Sequence, residues 1–313
     1  MLLQSQLITL LDKVLGQSAY LRNVQKGTEA VYYCPFCHHP KKKLEINTST
    51  QSWHCWTCNA AGKSIRSLFR KLKVNRVYYS ELYKIVGKPE FVKNQQFFGE
   101  RQQESTLPEE FLPLSKPSKS MEFGNAISYL RSRGVTRDDI LRYNIGYAEQ
   151  GEFRQRIIIP SYDKDGNLNF FSSRVYYDND AIKYKNPPWS KDIVGFELFV
   201  NWDEPITIVE SAYNAITIRR NVIPLFGKII PPILKERIIE NGVNRINVCL
   251  DKDAEQESLK LCEYLLSIET EPYFVELTKK DPNEIGFEKM NNLISNSILV
   301  DFSFLIKKKM SIL

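Results

Sequence analysis

The segment "YYCPFCHHPKKKLEI", Tyr32 to Ile46, is answered by "WHCWTC", Trp53 to Cys58. Together they carry Cys34-x2-Cys37 and Cys55-x2-Cys58, with 17 residues between the pairs. Two such pairs on turns bring four thiolates around one structural Zn²⁺ while the residues between them form a β-hairpin. Two disulfides, or buried or redox cysteines, are the alternatives. His38, His39 and His54 compete as ligands, but the cysteines already fill a tetrahedron. Zinc holds a ribbon too small to fold on its own apolar mass. Lys41, Lys42 and Lys43 lie near Trp53, His54 and Trp56, a mixture that can stack bases and hold a phosphate backbone. The alternative for either tryptophan is packing of the ribbon onto its neighbour. In "GKSIRSLFRKLK" the apolar Ile65, Leu68, Phe69 and Leu72 predict a helix capped by Ser64, with Lys63, Arg66, Arg70 and Lys71 facing outwards.

The formal charge of +6 is uneven: residues 1–75 hold 11 Lys/Arg against 3 Asp/Glu, a net +8, which leaves −2 for the rest. A basic amino-terminal module points to an anionic partner, nucleic acid before acidic membrane, with an ordinary solvated charge run as the alternative. No long apolar run predicts a membrane span. The start "MLLQSQLITLLDKVLGQ" lacks a basic n-region and a cleavage site, so a reducing, intracellular setting is expected.

Residues 92–120 are polar and proline-containing and read as a tether on which Phe97, Phe98, Phe111 and Leu112 dock locally. A second unit begins near Met121 with two helices around Gly134. It continues into apolar runs flanking Asp163-Lys164-Asp165-Gly166, which predict a hairpin. From Ile206 the rhythm alternates: "ITIVES" strand, "AYNAITIRR" helix, "VIPLFG" strand, "PPILKERIIENG" helix, "RINVCLDKD" strand, "AEQESLKLCEYLLSI" helix, "PYFVEL" strand. That order predicts a mostly parallel sheet covered by helices, with functional groups at the carboxyl ends of its strands. Glu210 ends the first strand. Asp251 and Asp253 end the central one, where period-two geometry sends both carboxylates to one side. Asp281 lies beyond the last. Converging oxygen ligands suit Mg²⁺ or Mn²⁺ and phosphoryl or nucleotidyl transfer; the alternative for Asp253 and Asp281 is capping of a helix or turn. Cys249 and Cys262 read as small core residues.

Over residues 30–285 the chain resembles the DnaG-type primases of bacteria and their bacteriophages. "CPFC" with "WHCWTCNAAG" resembles the primase zinc ribbon in the four-cysteine form familiar from phage primases. "YLRSRGVTRDDILRYNIGYA", "FRQRIIIPSYDKDGNLNFFSSRV" and "IKYKNPP" resemble the amino-terminal RNA-polymerase subdomain, and "IVESAYNA", "LDKDA" and "KKDPNE" resemble the acidic motifs of the toprim fold. The resemblance implies a multidomain α+β chain: a zinc ribbon with flanking helices (1–91), a linker (92–120), the mixed α/β RNA-polymerase subdomain (121–203), a toprim-like α/β sheet (204–285) and a carboxyl-terminal extension (286–313). It also implies synthesis of short RNA primers from ribonucleoside triphosphates on single-stranded DNA, passing through an RNA–DNA hybrid beside a replicative helicase. The setting implied is the cytoplasm, or the host-cell cytoplasm for a virus-encoded chain.

On this resemblance Glu210, Asp251, Asp253 and Asp281 take the toprim acidic positions. Arg154, Arg156, Arg174 and Lys183 line the nucleotide and template groove, Lys280 precedes the last acidic motif, and Gly227 is the turn before the central helix. The family's Glu-Gly becomes Glu210-Ser211, an aspartate four residues after the glutamate becomes Asn214, and a second aspartate in the final motif becomes Asn283. Fewer carboxylates weaken a second metal position. About 30 residues follow these motifs, which by ordinary domain size leaves no room for a full helicase-binding helical domain. A zinc-ribbon single-stranded-DNA-binding accessory protein with an inactive toprim domain, and a toprim nuclease, are the competing readings.

Overall fold

A computed structural model describes residues 2–24, 27–87, 105–177 and 182–312. They fall into two compact units, Met1–Val92 with Ile238–Asn244, and Lys93–Arg237 with Arg245–Leu313.

In the first unit α1 (Leu2–Leu15) precedes an antiparallel sheet of β1 (Tyr20–Val24), β2 (Gly27–Tyr32), β3 (Leu44–Asn47), β4 (Trp53–Cys55) and β5 (Ala61–Gly62), paired in chain order. Two helices follow, α2 (Ile65–Lys71) and α3 (Arg76–Val86). Helical spacing puts Leu7, Leu10 and Leu11 on one buried face of α1. Alternation does the same for Leu44 and Ile46 on β3. The Tyr32 hydroxyl donates to Asp12 Oδ1 over 2.8 Å, tying α1 to the sheet. Ser64 caps α2 as the sequence predicts. Arg66, however, is buried and Arg70 half-buried, so only Lys63 and Lys71 of the expected outward quartet are exposed.

The second unit begins earlier than expected. Residues 88–104, including Phe97 and Phe98, lie outside the described residues, while within 105–120 Phe111 and Leu112 dock on the second unit as expected. Here β6 (Leu112–Pro113) pairs with β7 (Gly146–Ala148), and Phe111 packs where a side chain on Gly146 would stand 2.2 Å from its ring. The helices α4 (Met121–Ser132) and α5 (Arg137–Arg142) are capped by Ser120 and Thr136. The sheet is completed by the hairpin β8 (Arg156–Tyr162) and β9 (Leu168–Val175). Asp163 Oδ1 accepts from the N–H groups of Asp165 and Asn167 in its turn, and Gly166 takes φ +84° there.

The α/β half follows the predicted alternation: β10 (Ile206–Val209), α6 (Ala212–Ile218), β11 (Val222–Pro224), α7 (Pro232–Glu240), β12 (Arg245–Cys249), α8 (Glu255–Ser267) and β13 (Glu271–Phe274). Strand order is β11-β10-β12-β13-β14, parallel except at the last pairing. After α9 (Pro282–Ile285) and α10 (Phe287–Ser295), the expected extension supplies β14 (Ile298–Leu299) to the sheet and α11 (Phe302–Ile312) beside α8. It is therefore part of the layer. One apolar core runs through both halves of this unit: Tyr143, Phe196 and Phe226 meet at ring-centroid distances of 4.7 and 6.0 Å, and Phe226 meets Phe170 of β9 at 4.7 Å.

Candidate functional site

The four ribbon cysteines are free and clustered, with ligand atoms within 4.8 Å of one another. Cys34 and Cys58 sulfurs are 3.8 Å apart and those of Cys37 and Cys55 3.9 Å. A tetrahedron with ~2.3 Å Zn–S bonds has edges of about 3.8 Å, so the spacing fits zinc. The two turns are built alike: His38 N–H donates to Cys34 O and Asn59 N–H to Cys55 O, and His38 and Asn59 take φ +50° and +57°. Burial pushes the Cys34 thiol up to about 12. At Cys55 burial also pushes upwards, but the backbone N–H groups of Cys58 and Thr57 together with the Cys34 and Cys58 thiols pull it down to about 7. No histidine joins the cluster among the described residues.

The aromatic residues separate by role. Trp53 is only 2% exposed, and its indole N–H donates to Ser64 O (3.0 Å) and Ser67 Oγ (2.9 Å). The indole is thereby held against α2, although Trp53 also lines the groove that Trp56 borders. Trp56 is 64% exposed and meets His54 edge-on at 4.5 Å. They border a groove of about 860 Å³ shared with Asn23, Glu45 and Asn47. Lys41 is exposed, Lys43 is half-buried, and Lys42 Nζ donates to Ser18 O over 2.8 Å.

In the second unit, parallel pairing of β10 with β12 sets Val209 opposite Cys249, so the two strands end together. Glu210 directly follows β10. Asp251 does not end a strand: β12 stops at Cys249, Asp251 precedes a 3₁₀ turn at Lys252–Ala254, and Asp253 lies within it. The turn, rather than strand alternation, brings Glu210, Asp251 and Asp253 within 4.8 Å of one another. Asn214, one turn into α6, donates from Nδ2 to Asp251 Oδ1 over 2.7 Å. Lys228 Nζ lies 3.4 Å from Asp253 Oδ2. Glu210 Oε2 is buried without a hydrogen-bond partner among the described residues. An orphaned buried carboxylate oxygen beside two further carboxylates fits a hard divalent cation.

Burial, then the nearby Asp251 charge, pushes Glu210 up to about 7; burial, then Asp281, pushes Asp251 up to about 6. Asp281 is the N-cap of α9, accepting from Glu284 N–H, and stands outside the three-residue cluster. Asn283 is turned elsewhere: its amide donates to Arg133 O and Thr217 Oγ1 and accepts from Arg133.

The basic residues also divide. Arg154, Lys183 and Lys280 are exposed. Arg156 is 4% exposed, and its guanidinium donates to Ile182 O (2.8 Å) and Lys183 O (3.3 Å). It holds the segment that carries Lys183, which corrects its assignment to direct nucleotide or template contact. Arg174 donates to the Tyr184 hydroxyl over 2.6 Å and lies over the Tyr213 ring at 5.6 Å. Sequence reasoning missed Lys191 and Lys228. Lys191 Nζ donates to Phe226 O over 2.7 Å, and its charge is felt by Glu210. Lys228 directly follows Gly227 in the loop after β11, so the same strand-end rule that finds the acids reaches it too.

No family model matches the chain. It is similar to the DNA primase of Legionella pneumophila, 20% identical over 299 residues that cover 80% of this chain and 50% of the relative. It is also similar to the DNA primase of Thermotoga maritima, 22% identical over 349 residues that cover 90% and 59%. The chain thus spans half to three-fifths of the length of these curated relatives. Among solved structures, the zinc-binding and RNA polymerase domains of Aquifex aeolicus primase superpose with TM-score 0.51 at 19% identity, covering 97% of this chain and 87% of that one. A DnaG catalytic core superposes with TM-score 0.52 at 18% identity, covering 61% and 78%. The fold is that of the DnaG-type primases. The acidic cluster is accordingly a toprim-like triad and the cysteine cluster resembles the primase zinc ribbon. The bacteriophage-like form expected from four cysteines finds no support in these bacterial relatives.

Two outcomes follow from the geometry. Cys55→Ser is expected to lower zinc per chain, measured by metal analysis, and to raise amide exchange in residues 30–62 while the β10–β13 sheet stays protected. One zinc per chain with an unchanged ribbon defeats the assignment. In the second unit, Glu210 and Asp251 bind protons more tightly folded than unfolded, since their ordinary values are 4.5 and 3.8. Between those values and about 7 the folded state holds more protons, so without divalent metal stability falls as pH rises. The thermal midpoint of zinc-loaded, Mg²⁺-free protein is expected to drop from about pH 5.5 to about pH 7.5, and less steeply in Asp251→Asn. Added Mg²⁺ restores it more at the higher pH; equal slopes in both proteins refute the assignment.

Proposed function

We propose that this chain is a DNA primase, a nucleotidyltransferase that reads single-stranded DNA and joins ribonucleoside triphosphates into a short RNA primer. The observation that carries this reading is the convergence of Glu210, Asp251 and Asp253 at the carboxyl edge of a parallel sheet within a primase fold. The intact triad argues against the accessory-protein reading with an inactive toprim domain.

Primer growth requires a 3′ hydroxyl to attack an α-phosphate with release of pyrophosphate. A bound Mg²⁺ or Mn²⁺ supplies Lewis-acid activation and charge neutralisation for such a transfer. Glu210 and Asp251 hold the cation, with Asp253 beside them and Asp281 biasing Asp251 electrostatically. Arg174 and Lys183 contact triphosphate or template phosphates, since guanidinium and ammonium groups complement phosphate oxygens. Arg156 fixes the backbone at Lys183 for that contact. Arg154 and Lys280 add exposed positive charge for the template or the RNA–DNA hybrid. On the ribbon, zinc maintains the fold, while Trp56, His54 and Lys41 to Lys43 take the single strand. The replicative helicase is the expected partner, and the cytoplasm the expected setting. No described helix is long and apolar enough to cross a membrane.

The test is RNA synthesis by purified protein given single-stranded DNA, four ribonucleotides and Mg²⁺ or Mn²⁺, alone and with its helicase. New RNA chains are expected, lost in Asp251→Asn with folding and most DNA binding retained, and reduced in Lys183→Ala. Trp56→Ala is expected to weaken DNA binding by about 1–3 kcal/mol with zinc retained, whereas Trp53→Ala loosens the ribbon. Shortened DNA in place of new RNA would make the protein a nuclease, and near-normal synthesis by D251N/D253N rejects the acidic mechanism.

A further inference from the structure

Three carboxylates meet at the toprim edge, yet two of their oxygens are already engaged by nitrogen. Asp251 Oδ1 accepts from the Asn214 amide, and Asp253 Oδ2 lies 3.4 Å from the Lys228 ammonium. Asn214 meets Asp251 through an amide N–H, which cannot ligate a cation, so it adds no oxygen where a carboxylate would, while the accepting Asp251 oxygen keeps a lone pair for a metal. The outer acidic positions do not replace it: Asp281 Oδ1 caps α9, and the Asn283 amide is clipped to Arg133 and Thr217. The buried Glu210 Oε2 has no hydrogen-bond partner among the described residues, and one carboxylate oxygen each of Asp251 and Asp253 lies within 4.8 Å of a Glu210 oxygen.

The loop that carries Lys228 is held by the strand ends themselves. Leu225 N–H donates to Val209 O over 2.9 Å, Gly227 N–H donates to Glu210 O over 3.2 Å, and Lys191 Nζ donates to Phe226 O over 2.7 Å. The same backbone that positions Glu210 therefore positions Lys228. Its ammonium pairs with Asp253, and the Glu210 charge acts on both Lys228 and Lys191. The Lys228–Asp253 pair is too exposed to matter much for folding, with side chains 36% and 64% accessible. Its effect falls on the charge of the site.

We propose that Lys228 fills the place a second divalent ion would take, holding Asp253 and making the acidic centre a one-ion site built on Glu210 and Asp251. A cation at Asp253 would stand beside the ammonium already there, and their repulsion, though damped by solvent at this exposed pair, disfavours a second ion. The developing charge on a transferred phosphoryl group is then met by one metal and one fixed lysine, in the manner of other lysine–phosphate contacts. Lys228 is thus a positioning residue for Asp253 and a fixed positive charge beside the metal.

The inference rests on the metal-dependent primase reading, but its measurement is metal binding, not RNA synthesis. Zinc-loaded full-length protein is titrated with Mn²⁺, free Mn²⁺ being followed by electron paramagnetic resonance and heat by calorimetry. Wild type is expected to bind one Mn²⁺ per chain, and Asp251→Asn to lose it. Lys228→Ala and the near-isosteric Lys228→Met are expected to bind two, whereas Lys228→Arg returns to one. Two Mn²⁺ in the wild type, or a single Mn²⁺ in both neutral variants, overturns the proposal. No Mn²⁺ at all overturns it together with the metal reading of the triad. One-ion binding with the Lys228 pattern intact but no RNA product upholds the proposal and rejects the primase reading alone.

Discussion

The parallel pairing of β10 with β12 is the constraint on which the second unit depends. Its register, Ile206 opposite Ile246 through Val209 opposite Cys249, ends both strands at the same level. All four residues of β10 are buried, as are four of the five in β12, so a slip in either strand would expose part of the core. The hydrophobic register thereby fixes where Glu210 and Asp251 leave the sheet. Two carboxylates whose ionisation is opposed by burial are held together by apolar packing beneath them. The electrostatic cost is offset at the edge by Lys228 and by Asn214.

The antiparallel half brings basic rather than acidic side chains to the junction. Its hairpin carries Arg174 on β9, and the segment after β9 returns Lys183 alongside it through the backbone pair Val175 N–H to Lys183 O. The contact is sealed by Tyr213 of α6, which is 2% exposed and lies under Arg174. Since Asn214 follows Tyr213, one short helix touches both the Arg174 guanidinium and the Asp251 carboxylate. The aromatic series Tyr143, Phe196, Phe226 and Phe170 stiffens the same junction from below. A shift in one sheet is felt by the other through close-packed rings, which tolerate little displacement.

Periodicity was sufficient to read the strand–helix alternation from Ile206 onwards, because each buried strand is a short apolar run and each helix shows an amphipathic repeat. The cysteine spacing was equally direct, since two Cys-x2-Cys pairs joined by a hairpin bring four sulfurs together. What stayed hidden depended on contacts far apart in sequence. Trp53 and Trp56 are three residues apart with the same chemistry, yet only the fold shows that Ser64 and Ser67 claim the first. Arg156 and Arg174 look alike on opposite strands of a hairpin, but burial turns the first towards backbone carbonyls. The Asp-x-Asp pair was located correctly for a mistaken reason, because a 3₁₀ turn does the work assigned to strand alternation. The segment 105–120 read as a tether because two-residue strands such as β6 carry no periodic signal.

Asn214 and Asn283 illustrate why a substitution in a motif has no fixed meaning outside its contacts. Both stand where the resemblance expects an aspartate, and by charge alone both remove a negative group from one cluster. The first is at the cluster and acts on it, converting a prospective ligand into a donor that orients Asp251. The second never reaches the cluster: it joins Arg133 after α4 to Thr217 of α6 through three hydrogen bonds. An aspartate there could not donate to both the Arg133 carbonyl and the Thr217 hydroxyl, since an ionised carboxylate only accepts. The amide at 283 is therefore explained by the junction between α4 and α6, and the amide at 214 by the metal edge. Of the two departures, only Asn214 changes the chemistry of the site.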